Sequence, residues 1–320
     1  MGQTVRDLTS VTDALAGLPT SEPILDEIAL AISCPLSLTG SVGTDECGQV
    51  GETDIARFIR RDALPGVEVL HATFIRHRYA PHSHEDLTIA YVEEGVVRFA
   101  IENHNYVAPP GTVFLIPPEA IHTCEPGAVT GYTYRVLYLE LTQLATSLGR
   151  TSLPYTWRTA SSVIDGGELA GALKRFHDVI ALPSAALEQG EALAILARML
   201  DDVLCATVTP RMSRMHPAVR AARDYIHTHW CDDFSLEELA RAVGLSPFHL
   251  ARCFRSHVGV PPSAYRRVLR VEAARQLLRQ GEPPSSVAAR CGFYDQAHLN
   301  RHFKRNIGVT PMCYAHCDRA

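Results

Sequence analysis

Three histidines in the N-terminal half could form a small binding site if the fold brings them together. His82 and His84 are separated by one residue, and His122 follows the pair Pro117-Pro118. Imidazole nitrogens bind zinc or iron, with water completing the coordination shell. They also hydrogen-bond to small organic molecules, and neighbouring groups can satisfy them without any ligand. The residue types therefore leave three interpretations open: a metal site, a pocket for an organic effector, or a structural cluster.

A second set of informative residues forms an internal repeat in the last third of the chain. Seven positions recur at one offset of 49 residues: Leu250, Arg252, Phe254, Gly259, Val260, Pro262 and Tyr265 correspond to Leu299, Arg301, Phe303, Gly308, Val309, Pro311 and Tyr314. Just upstream, Ala240 and Gly244 correspond to Ala288 and Gly292 at an offset of 48 residues. Two copies of one supersecondary unit explain this self-similarity.

Each copy has the signals of a helix-turn-helix unit. In the first, Ser235 and Glu238 form a capping box that begins a helix. Gly244 ends this helix, because the left-handed position after a helix favours glycine. Ser246 caps the next helix of the first copy, and Asp295 caps the matching helix of the second. We therefore predict two recognition helices in tandem.

A helix is predicted between the two copies. Residues Ser263–Gln280 have apolar side chains at helical spacing, and about 18 residues at 1.5 Å each span roughly 27 Å. A spacer of this length would place two recognition helices in successive major grooves on one face of DNA, which lie about 34 Å apart. A single chain could then bind a site without dimer symmetry.

The charge distribution favours a nucleic-acid partner for the C-terminal end only. The formal net charge of the chain is -5, but residues 1–210 hold 13 Lys and Arg against 26 Asp and Glu. Residues 211–320 hold 17 Lys and Arg against 9 Asp and Glu. An acidic region joined to a basic one is typical of a protein whose basic end binds DNA.

Residues 215–316 resemble the DNA-binding domain of the AraC/XylS family of bacterial transcription regulators. The resemblance lies in Ser235–Gly244, Ser246–Gly259, Ala288–Gly292 and Gly308–Tyr314. It implies that exposed residues of the recognition helices read bases, namely Phe248, His249, Arg252, Gln296, His298, Asn300 and Arg301. Arginine suits guanine, amides suit adenine, and an apolar ring can contact a thymine methyl group. Phosphate contacts are assigned to Ser246, Arg255, Arg266, Lys304 and Arg305.

The region before residue 145 is predicted to be a β domain. Short apolar stretches alternate with turn signals, and strands are predicted at Val67–Ile75, Leu87–Val92, Val96–Ile101, Thr112–Ile116 and Tyr132–Leu141. With Gly95, Gly111 and the three histidines, the segment resembles a cupin barrel, as in the ligand-binding domains of AraC-type regulators. Cupin enzymes hold metal with an additional Glu, and here that position is Thr88. Effector contacts are assigned to His82, His84, His122, Arg76, Tyr91 and Tyr134, with no metal or other cofactor; a metal on the three histidines is the weaker alternative.

Two helices follow the barrel, over about 169–180 and 187–204, with a turn at Leu182-Pro183-Ser184. The second is apolar enough either to pack on the barrel or to form a dimer seam, and the sequence does not choose between these. A short helix is expected around Ile24–Ile32. The predicted organisation is an N-terminal extension or flexible arm (1–58), a cupin-like barrel (59–145), a helical dimerisation region (146–206), a linker (207–214) and a tandem helix-turn-helix domain (215–316).

Nine cysteines, an odd number without a CxxC pair, indicate a reducing compartment, and no secretory or membrane-spanning segment is expected. We therefore expect a cytoplasmic, non-enzymatic transcription regulator. It would bind double-stranded DNA as a homodimer, respond to a small-molecule effector and contact RNA polymerase, as an activator. Two alternatives stay open: a metal-dependent cupin enzyme with a DNA-binding tail, and a thiol-based redox regulator.

Overall fold

Strands dominate the N-terminal part of the chain and helices the C-terminal part. The computed structural model describes residues 54–101, 104–153, 163–207 and 215–319. The helix expected around Ile24–Ile32 and nearly all of the linker 207–214 lie outside these residues. All described residues belong to one compact unit, 47–320.

Two antiparallel sheets form the N-terminal part. Their strands are β1 (Ile55–Arg60), β2 (Val67–Phe74), β3 (Leu87–Gly95), β4 (Val97–Ile101), β5 (His104–Ala108), β6 (Thr112–Ile116), β7 (His122–Pro126), β8 (Tyr132–Leu139) and β9 (Val163–Asp165). The larger sheet has the order β10-β1-β2-β8-β3-β6-β9, where β10 (Asp318–Arg319) pairs parallel to β1. The smaller sheet has the order β5-β4-β7.

The larger sheet is buried on both faces because its strands alternate two apolar sets. One set, including Phe74, Val92 and Tyr134, packs against Phe99 and Cys124 of the smaller sheet. The other set packs under two helices, α2 (Gly167–Ile180) and α3 (Ala186–Thr207). The predicted β-rich N-terminal domain with flanking helices is therefore confirmed, and both helices occur where helical spacing predicted them.

Several elements escaped the sequence analysis. Strand β1 includes residues 55–58, which were assigned to the N-terminal arm, and β5, β7 and β9 are too short or too polar to show period-two alternation. The last predicted strand ends at Leu139, and Leu141 begins a helix, α1 (Leu141–Ser147).

The C-terminal part consists of seven helices within residues 215–319. They are α4 (Pro217–Thr228), α5 (Leu236–Ala242), α6 (Pro247–Val258), α7 (Pro262–Arg279), α8 (Pro284–Arg290), α9 (Gln296–Ile307) and α10 (Pro311–Ala315). The predicted caps are confirmed: Ser235 forms a capping box with Glu238, and Ser246 and Asp295 accept backbone N–H groups of α6 and α9. The spacer helix, predicted over Ser263–Gln280, is α7.

The two helix-turn-helix units are buried differently. The first unit, α5 and α6, packs with α4 and the N-terminal half of α7 around Leu239, Leu250 and Phe254. The second unit, α8 and α9, has a core that is continuous with the space between the two sheets, since Leu299 and Phe303 belong to the same buried cluster as Phe74. In the part of the chain that the structure describes, no helix is long and apolar enough to cross a membrane.

Two glycines of the sheet domain provide a test of this packing. Gly95 and Gly111 have φ angles of +71° and +87°. A Cβ on Gly95 would lie 2.1 Å from the carbonyl oxygen of Gly131, whereas a Cβ on Gly111 would meet nothing within 4 Å. We expect Gly111→Ala to lower the free energy of unfolding by about 1–2 kcal/mol, the cost of the left-handed backbone. Gly95→Ala should lower the free energy of unfolding by at least about 2 kcal/mol more than Gly111→Ala does, because the backbone at Gly131 must move. Equal urea midpoints for the two variants would contradict this pairing of β3 and β8.

Candidate functional site

The three predicted histidines come together at one end of the sheets. His82 and His84 lie in the segment between β2 and β3, and His122 begins β7. The backbones of His82 and His122 donate to each other's carbonyl oxygens, with N–O distances of 3.0 and 2.8 Å. All three residues are buried, and one ring nitrogen of each lies within 4.8 Å of a ring nitrogen of the other two. The sequence prediction that these residues form one site agrees with this placement.

Backbone carbonyls fix the orientation of the three rings. Nδ1 of His82, His84 and His122 lies 2.9 Å from the carbonyl oxygens of Ala80, Asp86 and Ala120, respectively. Burial holds the pKa values of His82 and His84 well below their usual range and lowers that of His122 to about 4. The rings are therefore neutral at pH 7, with the proton on Nδ1 and a lone pair on Nε2.

A small cavity adjoins this histidine cluster. It is lined by Phe58, His82, His84, Tyr138, Arg275, Asn306 and Ile307, and it has room for about one water molecule. Thr88 stands where the cupin pattern has a glutamate, and its hydroxyl lies 3.0 Å from Nε2 of His84. Because α7 supplies Arg275 and α9 supplies Asn306 and Ile307, the cavity lies at the boundary between the sheets and the second helix-turn-helix unit.

A buried group of charges holds this boundary together, and we call it the boundary ion cluster: Arg60, Glu68, Asp86, Arg275, Arg279 and Tyr314. Arg275 lies 2.6 Å from Glu68 and 3.3 Å from Asp86, and Arg279 lies 3.2 Å from Asp86. The Tyr314 hydroxyl donates to Glu68 over 2.7 Å. The surrounding arginines hold the pKa of Glu68 well below its usual range although burial opposes this. Both domains thus contribute charged groups to one buried network.

Sequence reasoning missed the boundary ion cluster. Glu68 follows Val67 in an alternating strand, so the pattern places it on the solvent side, and nothing in the sequence marks Arg275 among the arginines of the basic end. Nearby Glu272 is also buried, which raises its pKa to about 7. Only the packing of α7 on the sheet reveals these roles.

The other predicted effector residues are distributed over three environments. Tyr134 lies between the two sheets, and its hydroxyl is 3.0 Å from that of Tyr79. Arg76 is not the inward-facing strand residue that was expected, because β2 ends at Phe74 and the Arg76 side chain is exposed in the following bend. Tyr91 is also corrected: it lies on the opposite face of the sheet from Tyr134, beneath α2, with Lys174 Nζ 5.9 Å from its ring centre. A period-two pattern cannot tell the two faces of a doubly buried sheet apart.

The recognition helices α6 and α9 present a polar surface. Phe248, His249, Arg252, Gln296 and Arg301 are exposed, and His298 and Asn300 are half-buried. Phe248 is 76% exposed, and the Arg252 guanidinium lies 5.9 Å from its ring centre. Tyr294, which the sequence analysis did not select, is 93% exposed just before the cap of α9. Its position beside Gln296 adds an aromatic group to this surface.

The predicted phosphate contacts are partly revised. Ser246, Arg255 and Arg305 are exposed, and Lys304 is half-buried. Arg266 has contacts within the domain: its guanidinium donates to the carbonyl oxygens of Asp232 and Phe234 and lies 4.5 Å from the centre of the Phe234 ring. The sequence pattern shows an arginine on α7 but not the loop that folds over it.

Two buried cysteines do not have the environment of a reactive thiolate. They are Cys124, in the smaller sheet, and Cys291, at the end of α8. Burial raises the pKa of Cys124 to about 12 and that of Cys291 to about 11, so both are thiols at pH 7. Redox sensing depends on lowered rather than raised thiol pKa values.

Comparisons with known proteins cover both parts of the chain. Residues 64–200 match the family model of the AraC-like ligand binding domain, and residues 239–316 match a helix-turn-helix domain model. The uncharacterized HTH-type transcriptional regulator YbfI of Bacillus subtilis is 28% identical over 253 residues, which are 76% of this chain and 89% of YbfI. The HTH-type transcriptional activator RhaS of Salmonella agona is 24% identical over 243 residues, 73% of this chain and 86% of RhaS. Among solved structures, ToxT of Vibrio cholerae O395 shares the fold, with a TM-score of 0.50 and 11% identity over 83% of this chain and 98% of ToxT.

The boundary ion cluster predicts a large effect of one neutral substitution. Glu68→Gln should lower the free energy of unfolding by about 3–5 kcal/mol, because it leaves buried arginines without their central counter-charge. Glu125→Gln is the matched control, since Glu125 pairs with Arg98 over 3.2 Å at the surface. It should cost less than about 1 kcal/mol. Urea denaturation followed by circular dichroism measures both; similar costs would contradict a buried network.

Proposed function

The chain belongs to the AraC family of helix-turn-helix transcription regulators, and from this premise we propose how its parts divide the work. Its helix-turn-helix domain binds DNA, and its N-terminal domain binds a ligand. We propose that α6 and α9 read bases and that the histidine cluster is the ligand site. The observation that carries the proposal is the cavity at the boundary, whose walls come from both domains.

The exposed side chains of α6 and α9 support the base-reading role. Arg252 and Arg301 occupy equivalent positions of the two copies and are both exposed. Arginine donates two hydrogen bonds to guanine, and Gln296 has the amide that suits adenine. The exposed Phe248 and Tyr294 rings suit contacts with thymine methyl groups. Arg255 and Arg305, one turn further along each helix, suit the phosphate backbone.

Regulation is proposed to act through the second helix-turn-helix unit. A ligand beside Arg275 and Asn306 contacts α7 and α9 directly, so its binding energy depends on how these helices sit on the sheets. A ligand changes a conformational equilibrium only through such a difference in affinity between two states. The end of α9 is also held by the sheet domain, since the Ala80 N–H donates to the carbonyl oxygen of Arg305 over 2.9 Å.

We propose that the protein is not an enzyme, acts in the bacterial cytoplasm and has RNA polymerase as a further partner. The basis is that its relatives are transcription regulators. Thr88 supports the non-enzymatic role, because the histidine cluster lacks the carboxylate that a cupin enzyme would use.

A homodimer is proposed on the outer face of α3. The inner face packs on the sheet, whereas Leu187 and Ile195 are 74% and 54% exposed.

Base reading is tested by pairs of substitutions on each recognition helix. Arg252→Ala and Arg301→Ala should each weaken binding to the preferred site by about 1–3 kcal/mol and relax the preference at one base position. Arg255→Ala and Arg305→Ala are matched controls that should weaken binding to all sequences and reduce the salt dependence. Selection of binding sites from random DNA, combined with fluorescence anisotropy, measures both effects. An unchanged base preference in Arg252→Ala and Arg301→Ala would contradict the assignment.

The dimer is tested by placing a charge on the proposed seam. Ile195→Glu should convert a dimer into a monomer, because a buried unpaired carboxylate is costly at an apolar interface. Val129→Glu is the control, since Val129 is also an exposed apolar residue but lies in a loop of the sheet domain. Light scattering coupled to size-exclusion chromatography gives the mass. A monomeric parent chain, or a dimer that survives Ile195→Glu, would contradict the seam.

A further inference from the structure

The loop between β6 and β7 gives the sheet domain a second contact with the DNA-binding end. We propose that Glu119 of this loop is a positioning residue for DNA recognition: it holds the first helix-turn-helix unit on the sheet domain and thereby fixes the spacing between α6 and α9. The inference rests on the proposed base-reading role of these two helices.

Glu119 has a backbone conformation that its side chain disfavours. Its φ angle is +61°, and among the residues that the structure describes it is the only one besides glycines in the left-handed region. This conformation is destabilising for a residue with a Cβ, whereas glycine adopts it freely. A residue that keeps such a conformation has surroundings that hold it there, and its side chain is a candidate for a functional role.

The Glu119 side chain has its partner in the DNA-binding domain. Its carboxylate accepts a hydrogen bond from Arg223 of α4 over 3.2 Å. Arg223 also donates from Nε to the Tyr265 hydroxyl over 3.3 Å. The Tyr265 ring packs edge-on against Phe254 of α6, with 5.6 Å between the ring centres. Arg223 and Tyr265 therefore connect a carboxylate of the sheet domain to the core beneath the base-reading surface of the first unit.

The second unit is held at the equivalent point. Tyr265 and Tyr314 correspond in the internal repeat, and the Tyr314 hydroxyl donates to Glu68 of β2 over 2.7 Å. Each copy of the repeat is thus connected to a carboxylate of the sheet domain, directly in the second copy and through Arg223 in the first. With both connections formed, the reading surfaces of α6 and α9 are exposed. The sheet domain therefore does not cover these surfaces but determines where they lie relative to each other.

The two connections differ in strength. Glu68 is buried among arginines, whereas the side chains of Glu119 and Arg223 are 60% and 24% exposed. Because water screens an exposed ion pair, its loss changes an equilibrium constant by only about two- to fivefold. The second unit is therefore firmly fixed to the sheets, and the connection at Glu119 is the one that opens at low cost.

The same loop contacts the histidine cluster. The Glu119 N–H donates to the carbonyl oxygen of His84 over 2.8 Å, and His122 begins the strand that follows the loop. Between them, Ile121 belongs to the same buried cluster as Leu250 of α6. A ligand that moves His84 or His122 therefore displaces the loop on which the first unit lies, so the proposed regulation reaches both units.

The spacing of the DNA site provides the test, on the full chain. The preferred site is selected from random DNA, and altered sites carry one base pair more or fewer between the positions whose preference Arg252→Ala and Arg301→Ala relax. Fluorescence anisotropy gives the ratio of the dissociation constants for altered and preferred sites. This ratio should fall by about two- to fivefold in Glu119→Gln, because the first unit can shift to follow the altered spacing. An unchanged ratio would overturn the inference.

Two further variants separate the ion pair from other effects of charge. Glu125→Gln removes a carboxylate that pairs with Arg98 within the smaller sheet over 3.2 Å, and it should leave the ratio unchanged. In an Arg223→Gln background, Glu119→Gln should have no further effect on the ratio, because its partner is absent. An equal effect of Glu119→Gln in both backgrounds would contradict the contact with Arg223 as its cause.

Stability distinguishes a positioning role from a structural one. Glu119→Gly removes the same ion pair and also relieves the left-handed backbone. It should lower the ratio of dissociation constants as Glu119→Gln does, while the urea midpoint of unfolding stays unchanged or rises. A fall of the urea midpoint in Glu119→Gly would assign Glu119 to the stability of the fold and overturn the inference.

Hydrogen exchange of the free protein tests the connection without DNA. Amide hydrogens of α4, α5 and α6 should exchange about two- to fivefold faster in Glu119→Gln than in the parent, and those of α9 should exchange at the parental rate. Unchanged exchange in the first unit would overturn the connection. If neither the parent nor any variant prefers a DNA sequence, the proposed base reading fails, and the exchange rates still decide whether Glu119 holds the first unit.

Discussion

The contact between Glu68 and Arg275 is the constraint on which the arrangement of the described domains depends. Both side chains are buried, and charges removed from water are destabilising unless each meets its partner with good geometry. The surrounding Asp86, Arg279 and Tyr314 complete that requirement. Because Arg275 belongs to α7, a carboxylate in the second strand of the sheet fixes the helix that connects both helix-turn-helix units.

The arginines of helix α7 contact the sheet and both helix-turn-helix units. Arg275 and Arg279 face the sheet. Arg270 donates to two carbonyl oxygens, that of Trp230 before the first unit and that of Gly292 in the turn of the second unit. Arg266 fastens the loop before the first unit. The second unit shares its apolar core with the sheets, and Ile121 of the sheet domain belongs to the core of the first. Arg223 of α4 also donates to Glu119, so a rearrangement at the boundary reaches the first unit through these contacts as well as through α7.

Local signals were strong enough to predict much of this structure. The capping residues, the glycines after helices and the apolar spacing located both helix-turn-helix units, and the resemblance to the cupin pattern grouped His82, His84 and His122. What the sequence could not show depends on which faces meet. Tyr91 and Tyr134 have the same pattern in a sheet that is buried on both sides, and only packing separates them. Glu68 is a polar residue at a position that alternation assigns to solvent, and its partner lies 207 residues away along the chain.

The free energies of the contacts at this boundary limit the kind of ligand that could act there. Breaking a buried ion pair by disturbing one partner costs about 3–5 kcal/mol. Reversing a conformational equilibrium from 1:99 to 99:1 requires about 5.5 kcal/mol of differential affinity. One or two hydrogen bonds from a water-sized neutral molecule supply about 0.5–1.5 kcal/mol each, which is too little. A ligand at this boundary therefore changes the equilibrium only if its contacts with the sheets and with α9 together supply several kcal/mol of differential affinity.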